Sequence, residues 1–364
     1  MKYDSIPFSK IVEIRDRLLL QDNPCRLESG DPEFNLPEKV KEVLCKAVYD
    51  NQTHYTNSAG IIPLREAIQI KLRKTIEKEF SKDEIIVTNG AMHGLYCIFS
   101  SLIEKGDKVG IAMPNWVGCT NIAKSCGAEI VPFSLDMPLE EQPFLRECKV
   151  ILINSPHNPT GRVLFENELL NLVRFAIKYN MYLISDEAYE HIIYDTEHIS
   201  PLSLAAYDRI IGVFSFSKSY AMPGLRLGYV VTKDIPLMNN LKKAVLYSAN
   251  GVNSVTQYAG VTAILESDDF IRDMVKAYKV KRDLLVEAVN SCKGLKCDVP
   301  NGAFYVWVEC EQPAVKIVNE LLDKGVGAIK GTAFGGSENT FRFAYSCPLD
   351  HIVRASEIIK GLKI

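Results

Sequence analysis

The stretch VILINSPHNPTGRVLFENELLNLVRFAIKYNMYLISDEAY, residues 150–189, contains two apolar β-rich segments separated by a helical one. The β-rich segments, residues 150–156 and 181–189, carry near-continuous apolar runs, which are typical of strands covered on both faces. The intervening ENELLNLVRFAIKYN has the apolar spacing of an amphipathic helix. A strand, a helix and a strand in this order predict a parallel pair within an α/β sheet.

Segments of the same kind lie on both sides of this unit. They are EIIVTNG (84–90), KVGIAMP (108–114), EIVPFSL (129–135), RIIGVFSF (209–216) and GLRLGYVVT (224–232). After about residue 254 the pattern changes to a long charged helix (268–290), short strands and a terminal helix. We therefore predict an α/β fold in which residues 36–265 form a large cofactor-binding domain with a mostly parallel sheet flanked by helices. Residues 1–35 and 266–364 are predicted to form a smaller α+β domain.

The composition is that of a globular protein with a substantial core. Of the 364 residues, 47% are hydrophobic and 24% are charged, which excludes a disordered chain. The formal net charge of −3 gives no basic field that would indicate nucleic acid or an anionic membrane as a partner. No apolar run approaches the ~18 residues of a membrane span, and the start, MKYDSIPFSK, lacks the apolar stretch of a signal peptide. A cytoplasmic location is expected.

The cysteines and histidines show no metal-ligand pattern. The ten cysteines are scattered without a CxxC pair, and the six histidines form no HExxH motif. We expect reduced thiols, several of them buried, and predict no metal site.

The segment SFSKSYAMPGLRLGY, residues 215–229, places a lysine just after an apolar strand. An isolated lysine of this kind is usually a surface residue whose aliphatic stem packs on apolar neighbours. Here Ser215, Ser217 and Arg226 supply hydroxyl groups and a guanidinium, which are groups that hold a phosphate. A lysine beside such groups suits covalent chemistry with a phosphorylated aldehyde, so Lys218 is a candidate catalytic residue.

Polar side chains follow the two strands of the central unit. Asp186 ends the second strand, where it either caps the next helix or faces a protonated ring nitrogen. In the second case Tyr189 would lie beside the neighbouring ring hydroxyl. Asn158 belongs to NSPHNPTG, which is strong turn chemistry, but its amide is also able to donate to a phenolate oxygen. The structural and functional interpretations are both open at this point.

Two weaker signals precede this unit, and a third follows it. TNGAMHG (88–94) places Gly90 between a strand and a helix, so that the amides of Ala91 and Met92 would open the helix and form an anion site. Trp116 either stacks on a flat heterocycle or belongs to the core. GVGAIKGTAFGG (325–336) is rejected as a dinucleotide loop because it lacks a GxGxxG that opens a helix with an acidic residue about 20 positions later.

Taken in order, these segments resemble the fold type I pyridoxal-phosphate enzymes, specifically the class I/II aminotransferases of the aspartate aminotransferase superfamily. The resemblance extends from ESGDPEF (28–34) to FRFAYS (341–346), essentially the whole chain. It implies pyridoxal 5′-phosphate as the cofactor and a ping-pong transfer of the α-amino group of an L-amino acid to a 2-oxo acid, with 2-oxoglutarate as a candidate acceptor. It also implies a homodimer with active sites at the subunit interface.

The resemblance assigns a role to each matching residue. Lys218 corresponds to the lysine that bonds to the cofactor aldehyde and, once freed, moves the α-proton of the substrate. Asp186 matches the partner of the pyridine nitrogen, Tyr189 and Asn158 match the groups at the ring 3-oxygen, and Trp116 matches the stacking aromatic. The phosphate cup corresponds to Gly90, Ala91, Met92, Ser215, Ser217 and Arg226. Tyr55 matches the tyrosine that reaches the phosphate in the neighbouring subunit, while Arg342, Asn158 and Gly30 match the positions that contact the substrate.

One departure concerns the choice of substrate. Aspartate-preferring enzymes that this chain resembles carry a lysine just after the glycine turn, where it meets the distal carboxylate of the substrate. Met92, followed by His93, stands at that position here, which weakens an interpretation restricted to dicarboxylates. Arg26 is a substitute candidate for the distal carboxylate, although an arginine in such a segment usually faces solvent.

Two alternative functions remain. The first is a related pyridoxal-phosphate enzyme that performs elimination, cyclisation or oxidation, because the cofactor residues do not dictate which bond breaks. The second is a non-catalytic effector domain like those of some transcription regulators. The short segment before ESGDPEF and the negative net charge disfavour this second alternative.

Overall fold

The chain is described by a computed structural model that covers Ile6, Phe8 and residues 10–363. The strands are β1 Ile85–Thr88, β2 Lys108–Ala112, β3 Glu129–Phe133, β4 Val150–Asn154, β5 Tyr182–Asp186, β6 Ile210–Ser215, β7 Gly228–Thr232, β8 Leu295–Lys296, β9 Tyr305–Cys310, β10 Ile329–Lys330 and β11 Thr340–Ala344. The α-helices are α1 Lys10–Leu18, α2 Glu38–Tyr49, α3 Ile62–Ile76, α4 Gly90–Leu102, α5 Val117–Ser125, α6 Glu166–Lys178, α7 Pro201–Leu204, α8 Ile235–Ala249, α9 Ser254–Glu266, α10 Asp268–Ser291, α11 Ala314–Asp323 and α12 Leu349–Lys360. Of these helices, all within the described residues, none is long and apolar enough to cross a membrane.

Seven strands form one large sheet in the order β1-β7-β6-β5-β4-β2-β3. All neighbouring pairs from β6 to β3 are parallel, and β7 runs antiparallel to both β6 and β1. The predicted parallel pair is β4 and β5, in which Asn154 lies opposite Asp186 at the carboxyl end. The prediction of an α/β fold with a mostly parallel sheet is confirmed.

The continuous apolar runs have a direct structural cause. In β4, Ile151 and Ile153 belong to the hydrophobic core on one face of the sheet, whereas Val150 and Leu152 belong to the core on the other face. Successive side chains of a strand point to opposite faces, so a strand with cores on both sides needs apolar residues throughout. The two cores hold the centre of the sheet in place. The polar residues Asn154 and Asp186 lie at the ends of β4 and β5.

The last third of the chain forms a second, antiparallel sheet in the order β10-β11-β9-β8. A separate hydrophobic core lies around it and includes side chains from α10, α11 and α12. The N-terminal segment joins this part, because Cys25 forms an isolated parallel bridge with Val326 and α1 contacts β10. These contacts support the smaller domain proposed from both ends of the chain, while its boundaries at 35/36 and 265/266 stay a prediction.

Candidate active site

A cavity of about 450 Å³ lies where β4, β5 and β6 end. The last residue of each strand, Asn154, Asp186 and Ser215, contributes to its wall. The carboxyl edge of a parallel sheet is a common ligand site because the strand-to-helix loops meet there. The predicted site residues that line this cavity are Gly30, Ala91, Met92, Trp116, Asn158, Asp186, Tyr189, Ser215, Ser217, Lys218, Arg226 and Arg342.

Lys218 lies in the turn that follows β6. Its Nζ donates a 2.6 Å hydrogen bond to the carbonyl of Gly30. Burial lowers the pKa of Lys218 to about 8, and the negative charge of Asp31 opposes that shift. A primary amine with a pKa this low is partly neutral near neutral pH, so it is able to act as a nucleophile or a base.

The sequence resemblance implies pyridoxal phosphate as the cofactor, and the rate at which the protein captures this aldehyde is expected to rise with pH and to level off above the Lys218 pKa of about 8. Covalent capture needs the neutral amine, and burial of Lys218 makes that form available well below the ordinary value of 10.5. Stopped-flow absorbance of the growing cofactor band at a series of pH values measures this dependence. A rate that still climbs tenfold per pH unit above the predicted plateau would show that Lys218 titrates as an ordinary lysine.

Asp186 is a buried carboxyl group whose charged form receives little stabilisation from its neighbours. The amide of Ala188 donates to its Oδ1 at 3.2 Å, and burial raises its pKa to about 7. A cationic group placed against this carboxyl would favour its ionised form, because opposite charges lower a carboxyl pKa. Asp186 is therefore suited to a protonated ring nitrogen.

Asn154 connects the NPTG turn to β5. Its Nδ2 donates to the carbonyl of Asp186 at 2.8 Å, and its Oδ1 accepts from the amide of Asn158 at 2.7 Å. These two bonds hold Asn158 at the edge of the cavity beside the end of β5. NSPHNPTG therefore forms a turn and also contributes Asn154 and Asn158 to the cavity wall, so its two interpretations do not exclude each other.

Arg342 is a fully buried guanidinium on β11, with an exposed fraction of 1%. Its Nη1 donates to Asn158 Oδ1 and its Nη2 to the carbonyl of Glu28, each at 2.8 Å. The guanidinium carbon lies 4.4 Å from the centre of the Tyr305 ring and 4.6 Å from that of Phe334. A planar guanidinium held in this way presents parallel donors that match a carboxylate.

Two phenols meet on the same side of the cavity. The hydroxyl groups of Tyr189 and Tyr305 are 2.7 Å apart. Burial raises the pKa of both phenols, so both remain protonated donors at neutral pH. One of the two hydroxyl groups donates to the other, so the pair keeps one proton to donate to an anionic oxygen of a ring that occupies the cavity.

The other end of the cavity is suited to a phosphate. Helix α4 begins at Gly90, and the side chain of Asn89 before it makes no capping bond, so the amides of Ala91 and Met92 are available to an anion. Arg226 lies beside this turn, and its Nη1 donates to the carbonyl of Pro223 at 2.8 Å. Ser215 lies near the same turn, because it pairs with Gly228, which packs against Gly90 and Ala91. Its hydroxyl accepts a 3.1 Å hydrogen bond from the amide of Ser217.

Gly90→Ala is expected to weaken the binding of pyridoxal phosphate about tenfold or more, because Arg226 would be displaced from the phosphate end. Gly90 has a φ of +79°, and a Cβ there would lie 2.7 Å from Arg226 Nη2. Gly106→Ala is a matched control, since Gly106 has a φ of +92° and no atom of the described residues within 4 Å of the added Cβ. Both variants are expected to lose stability through backbone strain, of about 1–3 kcal/mol. Cofactor titration that finds equal affinity in the two variants would contradict the role of Gly90.

Three predicted residues lie away from the cavity wall. Gly90 lies behind it, against Arg226. Tyr55 is 89% exposed and lines a separate groove with residues 53–56 and 249–254, so a single chain does not bring it to Lys218. Arg26 does not line the cavity, and its Nε donates to Glu28 at 2.5 Å instead. The structure therefore does not place Arg26 where it would bind the distal carboxylate of the substrate.

The cavity also contains residues that sequence reasoning missed. They are Ile11, Asp31, Leu95, Asn154, Ala188, Pro223, Gly224 and Tyr305. Asp31 follows Gly30 directly, and Asn154 opens the NSPHNPTG segment, so both lay next to recognised positions. Tyr305 had no local signal, because its place in the site depends on the pairing of β9 with β11.

The donor groups fit pyridoxal phosphate at each functional position of that molecule. The cavity wall offers amides, hydroxyls and a guanidinium suited to a phosphate, the Asp186 carboxyl suited to a ring nitrogen, phenol and amide groups suited to a ring oxygen, and the Lys218 amine suited to an aldehyde. The fold and this site together define a fold type I pyridoxal-phosphate enzyme. The chain belongs to the family described as aminotransferase class I and II, whose sequence model matches residues 22–359. It is a transaminase, and pyridoxal phosphate is its cofactor.

Relatives and solved structures agree with this assignment. The chain is 33% identical to a probable aspartate aminotransferase of Methanocaldococcus jannaschii over 96% of both chains. It is also 33% identical to an aspartate aminotransferase of Thermotoga maritima over 92% of this chain and 91% of the relative. The Thermus thermophilus aspartate aminotransferase solved with maleate matches with a TM-score of 0.92 and 29% identity, over 99% of this chain and 98% of that one. The Rhizobium meliloti aspartate aminotransferase gives 0.93 and 27%, over 99% and 97%.

Proposed function

We propose that this cavity moves the α-amino group of an L-amino acid to a 2-oxo acid in two half-reactions, with Lys218 as the catalytic residue. The observation that carries the proposal is the placement of Lys218, Asp186 and Arg342 on the wall of one cavity. They provide a partly neutral amine, a buried carboxyl and a buried guanidinium fork, and each of these groups suits a different step of the reaction. The residue roles below belong to this proposal.

Arg342 and Asn158 bind the α-carboxylate of the substrate. The guanidinium is held between Asn158 and the Glu28 carbonyl and packs over aromatic rings, so its direction is fixed before the substrate arrives. A substrate carboxylate that accepts hydrogen bonds from both Nη1 and Nη2 of Arg342 has a defined orientation. That orientation in turn fixes the direction of the Cα–H bond. Lys218 then removes the α-proton as a general base and returns it to a different carbon of the reacting system.

Pyridoxal phosphate, when bound, supplies the electron sink that makes the α-proton acidic. Asp186 would hold a proton on the ring nitrogen, and the hydroxyl of Tyr189 with the amide of Asn158 would donate to the ring oxygen. The phosphate would be held by Ala91, Met92, Ser215, Ser217 and Arg226, and Trp116 would pack against the ring. Gly30 would let its backbone approach the substrate from the cavity wall, and a side chain there is excluded because a Cβ would lie 2.5 Å from the Tyr305 hydroxyl oxygen.

Product analysis tests the reaction type. The purified holoenzyme is incubated with one L-amino acid and one 2-oxo acid, and the new amino acid, the new 2-oxo acid and ammonia are quantified. Transamination predicts the two organic products in equal amounts without ammonia. Ammonia released in proportion to substrate loss would instead support elimination or oxidation on the same scaffold.

We also propose a cytoplasmic homodimer in which Tyr55 completes the phosphate site of the partner subunit. Support for the dimer comes from Tyr49, Tyr55 and Tyr247, which are 85–89% exposed, an unusual state for large aromatic side chains. The proposed location is supported by the ten cysteines, all of which lie within the described residues as reduced thiols.

Tyr55→Phe is expected to lower cofactor affinity about tenfold, because one hydrogen bond to a charged phosphate is lost. Tyr49→Phe is the matched control, since it removes the hydroxyl group of another strongly exposed tyrosine and is expected to leave affinity within about twofold of the parent. Both variants are titrated with pyridoxal phosphate, and their mass in solution is measured by light scattering. A monomeric parent protein, or equal affinity in the two variants, would contradict the role of Tyr55.

A further inference from the structure

The turn after β5 carries two residues of the cavity wall and, next to them, two buried carboxylates. Asp186 and Tyr189 line the cavity, whereas Glu187 and Glu190 do not, although they are only 0% and 7% exposed. The amide of Glu190 donates to the carbonyl of Glu187 at 3.0 Å, so the four residues belong to one turn. The hydroxyl of Ser200 donates to the Glu187 carboxylate at 2.8 Å. The turn is therefore held from behind as well as from the cavity.

The partner of Glu190 is Lys71, which reaches it from α3. The Lys71 Nζ contacts the Glu190 carboxylate and donates a 2.6 Å hydrogen bond to the hydroxyl of Tyr229 on β7. His191 Nε2 lies 3.9 Å from the same carboxylate. The side chains of Lys71 and Glu190 are 5% and 6% exposed within a single chain, so this ion pair is complete without a second subunit.

The same cation also contacts the strand that leads to Lys218. Phe214 on β6 lies opposite Tyr229 on β7, and their rings are stacked with centres 4.8 Å apart. The Lys71 Nζ lies 4.8 Å from the centre of the Phe214 ring. Lys71 thus contacts both the turn that presents Tyr189 and the strand from which the Lys218 turn continues.

Stability alone is a weak reason for burying these two charges. Removing an ammonium and a carboxylate from water is costly, and their attraction offsets that cost only when the geometry is good. Apolar residues of similar volume often give equal or greater stability. An ion pair differs from apolar packing in that its hydrogen bonds are directional. Lys71 therefore fixes where Glu190 lies, and with it the position of the preceding Tyr189.

We propose that Lys71 and Glu190 are positioning residues, whose buried ion pair holds the turn so that the Tyr189 hydroxyl meets the ring oxygen of the cofactor. Neither residue lines the cavity, so both act through Tyr189. The inference rests on the proposed function and deepens it by adding two residues that lie behind the site.

The pH titration of the near-visible band of the holoenzyme tests this role. The band reports the proton on the nitrogen that links Lys218 to the cofactor, and the ring oxygen beside that nitrogen holds the proton more strongly when its negative charge is not shared with a donor. Tyr189→Phe removes a donor and is expected to raise the midpoint. Lys71→Met combined with Glu190→Gln removes both charges at similar volume. This double variant is expected to raise the midpoint by about 0.5 pH unit and to lower kcat about tenfold, with an unfolding transition close to that of the parent.

Two further variants separate positioning from general damage. Arg73→Met removes a cation of the same helix that forms an exposed ion pair with Glu79, and it is expected to leave the midpoint within about 0.1 pH unit of the parent. Tyr189→Phe added to the double variant is expected to raise the midpoint little further, because both changes act through one hydroxyl group. Fully additive shifts would show that the ion pair does not act through Tyr189 and would overturn the inference.

The remaining outcomes distinguish failure of this inference from failure of the proposed function. An unchanged midpoint in the folded double variant, or in Tyr189→Phe itself, would overturn the inference while leaving transamination intact. If the double variant does not fold, Tyr229→Phe decides in its place, because it removes the hydroxyl that accepts the 2.6 Å bond from Lys71. It is expected to raise the midpoint by a smaller amount, and no shift would overturn the inference. A parent holoenzyme whose band converts with no amino acid would contradict the proposed function instead.

Discussion

Lys218→Ala is expected to lower kcat by about 10⁴-fold or more, because the nucleophile and the base are lost together. The side chain lies on the cavity wall with its pKa lowered to about 8, and none of the other described residues of that wall is a primary amine. Steady-state turnover with an amino acid and a 2-oxo acid measures the loss. The phosphate and ring-nitrogen contacts remain in the variant, so the cofactor is expected to bind without its covalent link.

Lys218→Arg is the matched control for charge and length. A guanidinium stays protonated at every accessible pH, so it cannot act as a base or a nucleophile. We expect Lys218→Arg to be as inactive as Lys218→Ala, with unfolding transitions close to that of the parent protein in both. Turnover within about tenfold of the parent in either variant would contradict the assignment of Lys218.

Arg342→Leu is expected to lower kcat/KM for the amino acid by about 10²–10³-fold, which corresponds to about 3–4 kcal/mol. The guanidinium is buried, and two of its nitrogens are hydrogen-bonded in a fixed direction. Its removal takes away the cation that binds the α-carboxylate and also leaves Asn158 Oδ1 without this donor. The affinity for pyridoxal phosphate is expected to change much less, because Arg342 does not belong to the phosphate end.

Arg26→Leu is the control for Arg342→Leu. Both arginines contact Glu28, but Arg26 lies outside the cavity wall and bonds to the carboxylate of that residue. We expect Arg26→Leu to keep kcat/KM within about threefold of the parent. A large loss in Arg26→Leu together with a small one in Arg342→Leu would reverse the assignment of the carboxylate site.

Much of the fold could be predicted because its central strands are covered on both sides. The apolar runs that became β4 and β5 have no alternating polar face, and that pattern distinguishes a buried parallel sheet from an exposed one. Asn154 and Asp186 end these two runs, and Ser215 ends the apolar run of β6 in the same way. A polar residue at that edge of a parallel sheet points to a ligand site, so Asp186 and Ser215 could be predicted from the sequence, and the same reasoning applied to β4 would have found Asn154.

Other features depend on contacts between distant parts of the chain. The Tyr189 and Tyr305 hydroxyl groups meet across 116 positions of sequence, and β9 has no signal that reports this pairing. Arg26 precedes Gly30 closely in sequence, yet it bonds to Glu28 instead of entering the cavity. The proposed role of Tyr55 requires a second subunit, which one sequence does not describe.

The most direct measurement is the near-visible absorption spectrum of the holoenzyme during addition of single L-amino acids without a 2-oxo acid. The account predicts that the band of the lysine-bound cofactor collapses to that of the amino form with at least one L-amino acid. Lys218→Ala is predicted to show neither the starting band nor the conversion. A band that stays unchanged with every amino acid would contradict transamination at this site. A protein that forms no band after addition of pyridoxal phosphate would contradict the assignment of Lys218.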